Sequence, residues 1–443
     1  MSDMLSIGAS GVRAYQTALT TTSENIANAG TAGYSRRVSN PSEVAAPSDG
    51  SNRTLNGLGV TVTGVTRTGS DLRSAEVRAA GSDLARSEAG VVWLERTESA
   101  LTANKLDERM TAFFNAATAL AADPSASAPR ATMLQAAASL ANAFAATGSA
   151  VDGALADLDG TAEAAVSDLN ALSSGLAKVN SALGRTPQNT SAQAALLDER
   201  DRLLESMSAL TDIATSFDAA GRVSVRVGAS GPVLVQGDQA AVVTYARNDA
   251  AVSFAAYGID GSHSLTPTGG ALAGMAEGAA RLSDARDALD ALAVEFADGV
   301  NAVQAAGEDL TGTSGAAMFE ASGASDFRMI LNDPRGIAAA APGAGERDNG
   351  NLTALTTLRS TEGFESQLTT LTTGNASALA GRRAIAEVQS TIRTNAIAAR
   401  DSVSGVNVDE EAVDLIRFQQ AYQASSRVIQ VARETLDTLF NIR

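Results

Sequence analysis

Few side chains in this sequence could do chemistry, and the first to consider is its single histidine, His263. A Ser-His-Asp or general-base mechanism would depend on this one imidazole, which lies between two serines next to a glycine. Such a setting is typical of a solvated surface loop. The chain has no cysteine, which excludes thiol catalysis, disulfides and cysteine metal sites. We therefore predict no catalytic site, no metal site and no cofactor.

Three other segments contain residue types that occur in catalytic or anion-binding sites. Residues 198–202, DERDR, contain neighbouring carboxylates, but alternating charges on a helix are typical of a solvated, salt-bridged face. Residues 269–274 are glycine-rich but lack the Lys-Ser/Thr ending of a phosphate loop, and we interpret them as a turn into a helix. The two consecutive arginines, Arg36 and Arg37, are too few for a polyanion site. They predict a local contact with the rest of this acidic protein. We predict that the protein is not an enzyme.

Charge and hydropathy exclude further classes of partner. The net charge is −17 over 443 residues, with no run of Lys or Arg, whereas binding to nucleic acid requires a cationic surface. Anionic membrane surfaces are disfavoured for the same reason, and no apolar run approaches the ~20 residues of a membrane span. Residues 1–11 lack the features of a signal peptide, so we expect any export to avoid the general secretory route.

The elements that would position functional residues are clearest at the two ends of the chain. At each end, apolar or small residues recur every seven positions in two sets that are three residues apart. Near the start these are Leu5, Val12, Leu19 and Ile26, with Gly8, Tyr15 and Thr22; near the end they are Leu415, Tyr422, Ile429 and Leu436, with Phe418, Ser425, Ala432 and Leu439. A stripe this narrow buries one flank of a helix against another helix. The pattern predicts that the ends pair as a coiled coil, and the alternative is two surface helices of one globular domain.

Local signals mark where these helices end and begin. The first helix is expected to stop at Gly30, which tolerates the left-handed conformation of a C′ residue, with Gly33 turning the chain again. The last helix is expected to begin after Asn407 as N-cap. Glu410 stands three residues later, as in a capping box.

The same terminal segments resemble a known family. Residues 23–37, SENIANAGTAGYSRR, resemble the amino-terminal motif of flagellar rod, hook and hook-associated proteins, whose turn would here comprise Asn28, Gly30, Gly33 and Tyr34. Residues 404–411, SGVNVDEE, and 415–424, LIRFQQAYQA, resemble the carboxy-terminal motif of that family. Ala32 stands where the motif usually has proline, so no residue fixes φ in the turn.

The interior of the chain distinguishes branches of this family. Residues 196–204, 223–227, 233–237, 269–275, 299–301 and 329–338 follow the order of the central region of the hook-associated protein 1 family. Gln304 departs from it, since that family often has histidine there. The resemblance implies a structural flagellar component that self-assembles into a ring-like layer joining hook to filament. A rod or hook subunit is the alternative within the family, and an extracellular hydrolase with flagellar ends is the alternative outside it.

The resemblance also implies partners and a location. These are further copies of the same chain, the hook protein, the second junction protein (hook-associated protein 3) and a flagellar export chaperone, with no nucleic acid and no membrane. Export would use the flagellar type III apparatus, which places the protein outside the cell on the flagellum. The expected assembly interface consists of Leu5, Val12, Tyr15, Leu19, Ile26, Leu415, Phe418, Tyr422, Ile429, Leu436 and Leu439.

The periodicities predict a mainly α fold with a smaller β-rich insert. Residues 1–38 with 405–443 form a terminal coiled-coil domain in this division, and 39–214 with 276–404 form a helical domain that includes an extended linker at 39–70. Residues 215–275, where alternation has period two, form an inserted outer β domain. Residues 307–350 fit either the helical or the β domain.

Overall fold

The computed structural model describes residues 2–44, 59–248 and 251–440. It is mainly helical with a smaller β-rich insert, as predicted. The helices are α1 (Ser2–Asn28), α2 (Asp71–Thr102), α3 (Leu106–Ala122), α4 (Ser127–Leu183), α5 (Ser191–Leu210), α6 (Gly270–Ala306), α7 (Gly350–Glu362), α8 (Phe364–Ser404) and α9 (Val408–Phe440). The strands are β1 (Arg37–Glu43), β2 (Val60–Arg67), β3 (Ile213–Phe217), β4 (Val223–Val227), β5 (Val233–Gln236), β6 (Gln239–Ala240), β7 (Val242–Asn248), β8 (Ala251–Gly258), β9 (Gly261–Leu265), β10 (Phe319–Glu320) and β11 (Arg328–Met329).

The two ends of the chain pair with each other, which confirms the prediction from the heptads. Helices α1 and α9 contact each other along their length and run antiparallel. Gly8 lies beside Ile429 near one end of the pair, and Asn25 bonds to Glu411 at the other end. We call α1 and α9 the terminal pair, and α2–α8 with β3–β11 the body.

Helix α2 lies between α6 and α8 and organises one side of the body. Its N-cap is Ser70, whose Oγ accepts a hydrogen bond from the backbone of Arg73. Helix α6 approaches α2 closely because a Cβ on Gly274 would lie 2.4 Å from the Arg86 carbonyl oxygen. The interpretation of residues 269–274 as a turn was therefore wrong beyond the first two residues: α6 begins at Gly270, and its glycines serve helix packing.

A cluster of phenylalanine rings around Phe296 forms another part of the core of the body. The Phe296 ring lies 5.0 Å from Phe364 and 5.5 Å from Phe113, centroid to centroid. Phe319, from the segment 307–350, joins this cluster at 5.9 Å from Phe296. Arg130, at 1% exposure, donates to the carbonyl oxygens of Pro124 and Ile337. Residues 307–350 thus pack into the core of the helices.

The β-rich insert consists of two antiparallel meanders, β3-β4-β5-β6 and β7-β8-β9. It starts at Ile213, two residues before the predicted boundary. Helix α4 holds both sheets through asparagine amides, because Asn180 exchanges two hydrogen bonds with the backbone of Val223, and Asn170 does so with Val243. The inward valines belong to the same hydrophobic core as the helices. The insert therefore packs directly on the helices of the body.

The expected linker at 39–70 is in part a strand pair. Strands β1 and β2 form an antiparallel hairpin from Arg37↔Arg67 to Glu43↔Val60, with a bulge between Asn40 and Pro41. Strand β1 was not predicted from the sequence, because Pro and Asn are depleted in strands and proline is tolerated there only at edges and bulges. Residues 45–58 of the expected linker lie outside the described residues.

Candidate functional site: the terminal pair and its joint

The terminal pair is closed by small side chains on α1. A Cβ added to Gly8 would lie 2.7 Å from Ile429 Cγ1, and one added to Gly11 would lie 2.7 Å from Ser425 Oγ. The rings of Tyr15 and Phe418 face each other with centroids 6.5 Å apart. Between residues 4 and 28 of α1, the buried residues are Gly8, Gly11, Ala14, Ala18, Thr21, Thr22 and Asn25. The two backbones therefore approach closely, and larger side chains are displaced from the contact line.

This contact line differs from the predicted one on α1. Gly8 and Thr22 are buried as expected, but the heptad row expected at the centre is rotated to a flank and only half-buried: Leu5, Val12, Leu19 and Ile26. On α9, Ala432 is buried, and half-buried positions flank it: Leu415, Phe418, Tyr422, Ser425, Ile429 and Leu436. The side chain of Leu439 lies outside the described part of the chain. The large apolar residues of both helices thus retain surface for other contacts.

A buried polar cluster, which we call the joint, lies where the terminal pair meets the body. Glu411, with a fully buried side chain, accepts hydrogen bonds from Asn25 Nδ2 at 3.0 Å and Arg36 Nε at 2.6 Å. The Asn25 amide also exchanges two hydrogen bonds with the backbone of Arg37, and its Oδ1 accepts one from the Tyr34 hydroxyl at 2.9 Å. Each polar atom of Asn25 is thereby used. The joint connects α1, α9 and the start of β1.

The joint continues into α5 through arginines of the hairpin. Arg67 pairs with both Asp198, at 3.0 Å, and Asp201. The Nη2 atom of Arg37 lies 3.5 Å from Asp198 Oδ2, an ion-pair distance. Arg37 thus makes the local contact with the body that the sequence predicted, whereas the guanidinium of Arg36 pairs with Glu411 and Asp414 of α9. The face at 198–202 is salt-bridged as predicted, but Asp198, Arg200 and Asp201 are not solvated, since their side chains are at most 17% exposed. Arg67 of the hairpin covers the two aspartates, and Arg200 packs on the ring of Phe217.

Burial changes the acidity of two groups in the joint. It raises the pKa of Tyr34 to about 12, although the nearby Arg37 guanidinium opposes the change. The hydroxyl therefore keeps the proton that it donates to Asn25. Burial also raises the pKa of Asp198, and the charges of Arg67 and Arg37 act in the opposite direction.

The turn after α1 and the cap of α9 follow the predictions in part. Helix α1 ends at Asn28, whose Nδ2 donates to the carbonyl of Glu24 at 2.9 Å. The left-handed glycine is Gly33, with φ of +78°, and not Gly30. Asn407 Oδ1 accepts from the backbone N–H of Asp409, as expected of an N-cap. The acidic side chain that turns inward is Glu411, whereas Glu410 lines the rim of a cleft.

That cleft, of about 810 Å³, lies between the turn after α1 and the ends of α5 and α8. Three of the carboxylates that line it are bound to arginines, since Asp201 pairs with Arg67, and Glu205 and Asp401 both pair with Arg400. His263 lies exposed on β9, where its Nε2 contacts the carbonyl oxygen of Asp260. Across the described ranges, no group of three or more His, Asp or Glu side chains could hold a metal ion. The same ranges include no helix with the length and apolarity of a membrane span.

Sequence reasoning missed the residues at the centre of the joint. Asn25 and Glu411 both lie inside the recognised motifs, but the sequence assigned neither of them a role in a buried contact. A signal was present, because an acidic residue at 411 falls seven positions before Phe418, on the line that faces α1. A polar residue on an apolar line needs a buried partner.

Comparison with known proteins gives matches over most of the chain. A family model described as the helical domain of flagellar hook-associated protein FlgK matches residues 94–319. A second, described as the C-terminal region of flagellar basal body rod FlgEFG proteins, matches residues 400–442. This second match covers the end of α8, the cap of α9 and Glu411.

Whole relatives and a solved structure are also similar. Flagellar hook-associated protein 1 of Escherichia coli K12 is 24% identical over the full length of both chains. That of Bacillus subtilis 168 is 25% identical over 97% of this chain and 96% of the relative. The structure of the flagellar hook junction protein FlgK from Burkholderia pseudomallei has a similar fold, with a TM-score of 0.50 at 22% identity. That match covers 56% of this chain and 46% of the other.

Proposed function

We propose that this chain, which belongs to the family of the flagellar hook-associated protein FlgK, is a structural component of the bacterial flagellum. In this role it joins the hook to the filament. Copies of the chain would form a ring-like layer through their terminal pairs, with the hook protein on one side. The second junction protein, hook-associated protein 3, would lie on the other side.

The observation that carries this proposal is the way in which the two terminal motifs meet. Asn25, Tyr34 and Arg36 come from the amino-terminal motif, and Glu411 comes from the carboxy-terminal one. They bond to one another at the base of a helix pair that leaves large apolar side chains half-exposed. A rigid base below an apolar helix pair suits a part that packs against neighbouring copies.

The same features argue against an enzyme. The inner carboxylates of the cleft at the joint, Asp201 and Glu205, are held by arginines, and a catalytic acid or base needs a reactive group that faces a substrate. We infer a non-enzymatic role. A rod or hook subunit is less well supported, because the FlgK model matches the helices and strands of the body, residues 94–319.

Export and delivery follow from this role. We infer export through the flagellar type III apparatus with the help of a dedicated chaperone, which places the protein outside the cell. A chain without disulfides suits such a route, since it folds after export by packing alone.

Immunogold labelling of isolated flagella tests the proposal. An antibody to the body should label one narrow zone between hook and filament. Label along the whole hook or in the rod would favour the alternative within the family. Absence of label from flagella would contradict the proposal.

A further inference from the structure

The terminal pair has an apolar surface that its own helices leave uncovered. Val413, Ile416, Val428 and Val431 are exposed on α9. Val413, Ile416 and Val431 lie opposite to the line that faces α1, and Val428 lies at the edge of that line, next to Ile429. Their exposed fractions are 66%, 56%, 38% and 52%. Ala424, also exposed, lies between them on the same side. We call these five residues the outer stripe of α9.

A second uncovered surface lies on the other side of the contact line. The half-buried row on α1 (Leu5, Val12, Leu19 and Ile26) and the half-buried row on α9 (Leu415, Tyr422, Ile429 and Leu436) lean to the same side of the antiparallel pair. The described strands of the hairpin, β1 and β2, pack on the opposite flank of α1, where the backbone N–H of Val60 donates to Ser10 Oγ. We call these two rows the groove.

We infer that the outer stripe of α9 in one copy binds in the groove of the next copy, forming a three-helix contact. This inference rests on the proposed function and adds the two faces through which copies assemble. The stripe, from 413 to 431, is about 27 Å long and the groove, from 5 to 26, about 31 Å, at 1.5 Å per residue. The two surfaces therefore match in length. The stripe is apolar in part, since Arg417 stands in the same heptad row as Ala424 and Val431, and Arg427 in that of Val413.

The distribution of charge allows a second copy to approach the middle of the terminal pair. Each copy carries a net charge of −17, so most surfaces of two copies repel each other. The middle of the terminal pair is an exception, because residues 14–23 and 418–426 contain no charged side chain. Uncharged exposed residues such as Gln16 and Gln419 border the groove. A second copy meets no like charge at this place.

The geometry also accounts for a layer of many copies. The stripe and the groove are different surfaces of one molecule, so their contact is heterologous and leaves one free stripe and one free groove at each step. Such contacts repeat until a ring closes or a helix forms. A stripe that paired with another stripe would stop at two copies.

Disulfide cross-linking tests the inference cleanly, since the natural chain has no cysteine. The variant carrying both Ala424→Cys and Gln16→Cys places one thiol at the middle of the stripe and one at the rim of the groove. Flagella isolated from cells that produce it should give, on oxidation, a ladder of cross-linked chains. Each single variant should give none. A control pairs Gln16→Cys with Val242→Cys, which is exposed on the outer sheet and should give no ladder.

Several results would overturn the inference. A dimer from Ala424→Cys alone would show that stripes pair with each other. Absence of a ladder from flagella that contain the double variant would refute these faces while leaving the proposed function intact. Absence of the wild-type protein from flagella would contradict both. Adding Ile416→Glu to the double variant should lower the ladder about tenfold or more, the effect of ~1.4 kcal/mol, with unchanged helical content of the purified protein.

Discussion

Asn25 Nδ2 donates a hydrogen bond to Glu411 Oε2 at 3.0 Å across 386 residues of sequence, and both side chains are buried. This single contact fixes the register of the antiparallel pair, because sliding α9 by one turn would leave the carboxylate without Asn25 or Arg36. Buried polar residues set register in coiled coils in the same way. The bond also ties the pair to the body, since Asn25 holds the backbone of Arg37.

Replacement of Glu411 by alanine should release the terminal pair from the body. The change removes the acceptor of Asn25 Nδ2 and Arg36 Nε, while Arg36 keeps Asp414 at 3.5 Å, and loss of a hydrogen-bond partner in a buried site costs about 1–3 kcal/mol. Limited proteolysis should cut the variant near residues 30–36 and 400–407, while the thermal melting of the body stays unchanged. Glu410→Ala removes an exposed neighbour and serves as control. Equal protease resistance of Glu411→Ala and wild type would show that the joint does not hold the pair.

The close approach of the helices predicts a steric test at Gly11. A Cβ there meets Ser425 Oγ at 2.7 Å, so Gly11→Ala should destabilise the terminal pair by about 1–3 kcal/mol. An alanine elsewhere in a helix would instead stabilise by roughly 0.5–1 kcal/mol. Adding Ser425→Ala removes the clashing oxygen and should restore part of the loss. Helical content during thermal melting measures this. No loss from Gly11→Ala would place the helices farther apart than described.

Tyr34 predicts how the joint responds to alkaline pH. Its pKa is raised from 10.0 to about 12, so the folded joint holds the phenol proton more tightly than the unfolded chain does. The contribution is complete below pH 10 and is lost as the pH rises from 10 towards 12. Protease cleavage beside the joint should increase over this range in wild type. Tyr34→Phe should show a smaller change there, with about 1 kcal/mol lower stability at neutral pH. An identical pH profile would refute the role of the hydroxyl.

Arg130 predicts a defect confined to the body. Its buried guanidinium donates to the carbonyls of Pro124 and Ile337, which links the start of α4 to the segment 307–350. Arg130→Met leaves buried carbonyl oxygens without donors, and we expect a loss of about 3–5 kcal/mol in the free energy of unfolding. Arg335→Met, at an exposed position nearby, should change it by less than about 0.5 kcal/mol. Equal stability of both variants would contradict this role for Arg130.

The heptad repeats predicted the pairing of the ends but not the face that α1 presents to α9. Apolar periodicity gives weight to Leu5, Val12 and Leu19. The contact is instead made by the predicted Gly8 together with Gly11 and Ala18, which lie outside the predicted rows, because small residues allow the backbones to approach. A periodic pattern shows which side of a helix is hydrophobic, but it does not show how closely the backbones of two helices approach. The joint was not predicted either. The pairing of its buried hydrogen-bond donors and acceptors depends on the tertiary structure, which local sequence patterns do not contain.

The boundaries of α6 and β1 show the limits of local signals. Residues 269–274 have the glycine content of a turn, and only contact with α2 explains why Gly274 lies inside a helix. Strand β1 contains Asn40 and Pro41, which local propensity assigns to a loop, yet pairing with β2 outweighs that preference. In both places a tertiary partner decides the structure.

Electron microscopy of cells that lack this gene tests the central claim most directly. If the protein joins hook to filament, the cells should have complete hooks without filaments, and wild-type protein supplied from a plasmid should restore the filaments. Glu411→Ala should restore them less well than Glu410→Ala, since the terminal pair must be held by the joint. Filaments attached to hooks in normal number in the deletion strain would contradict the account.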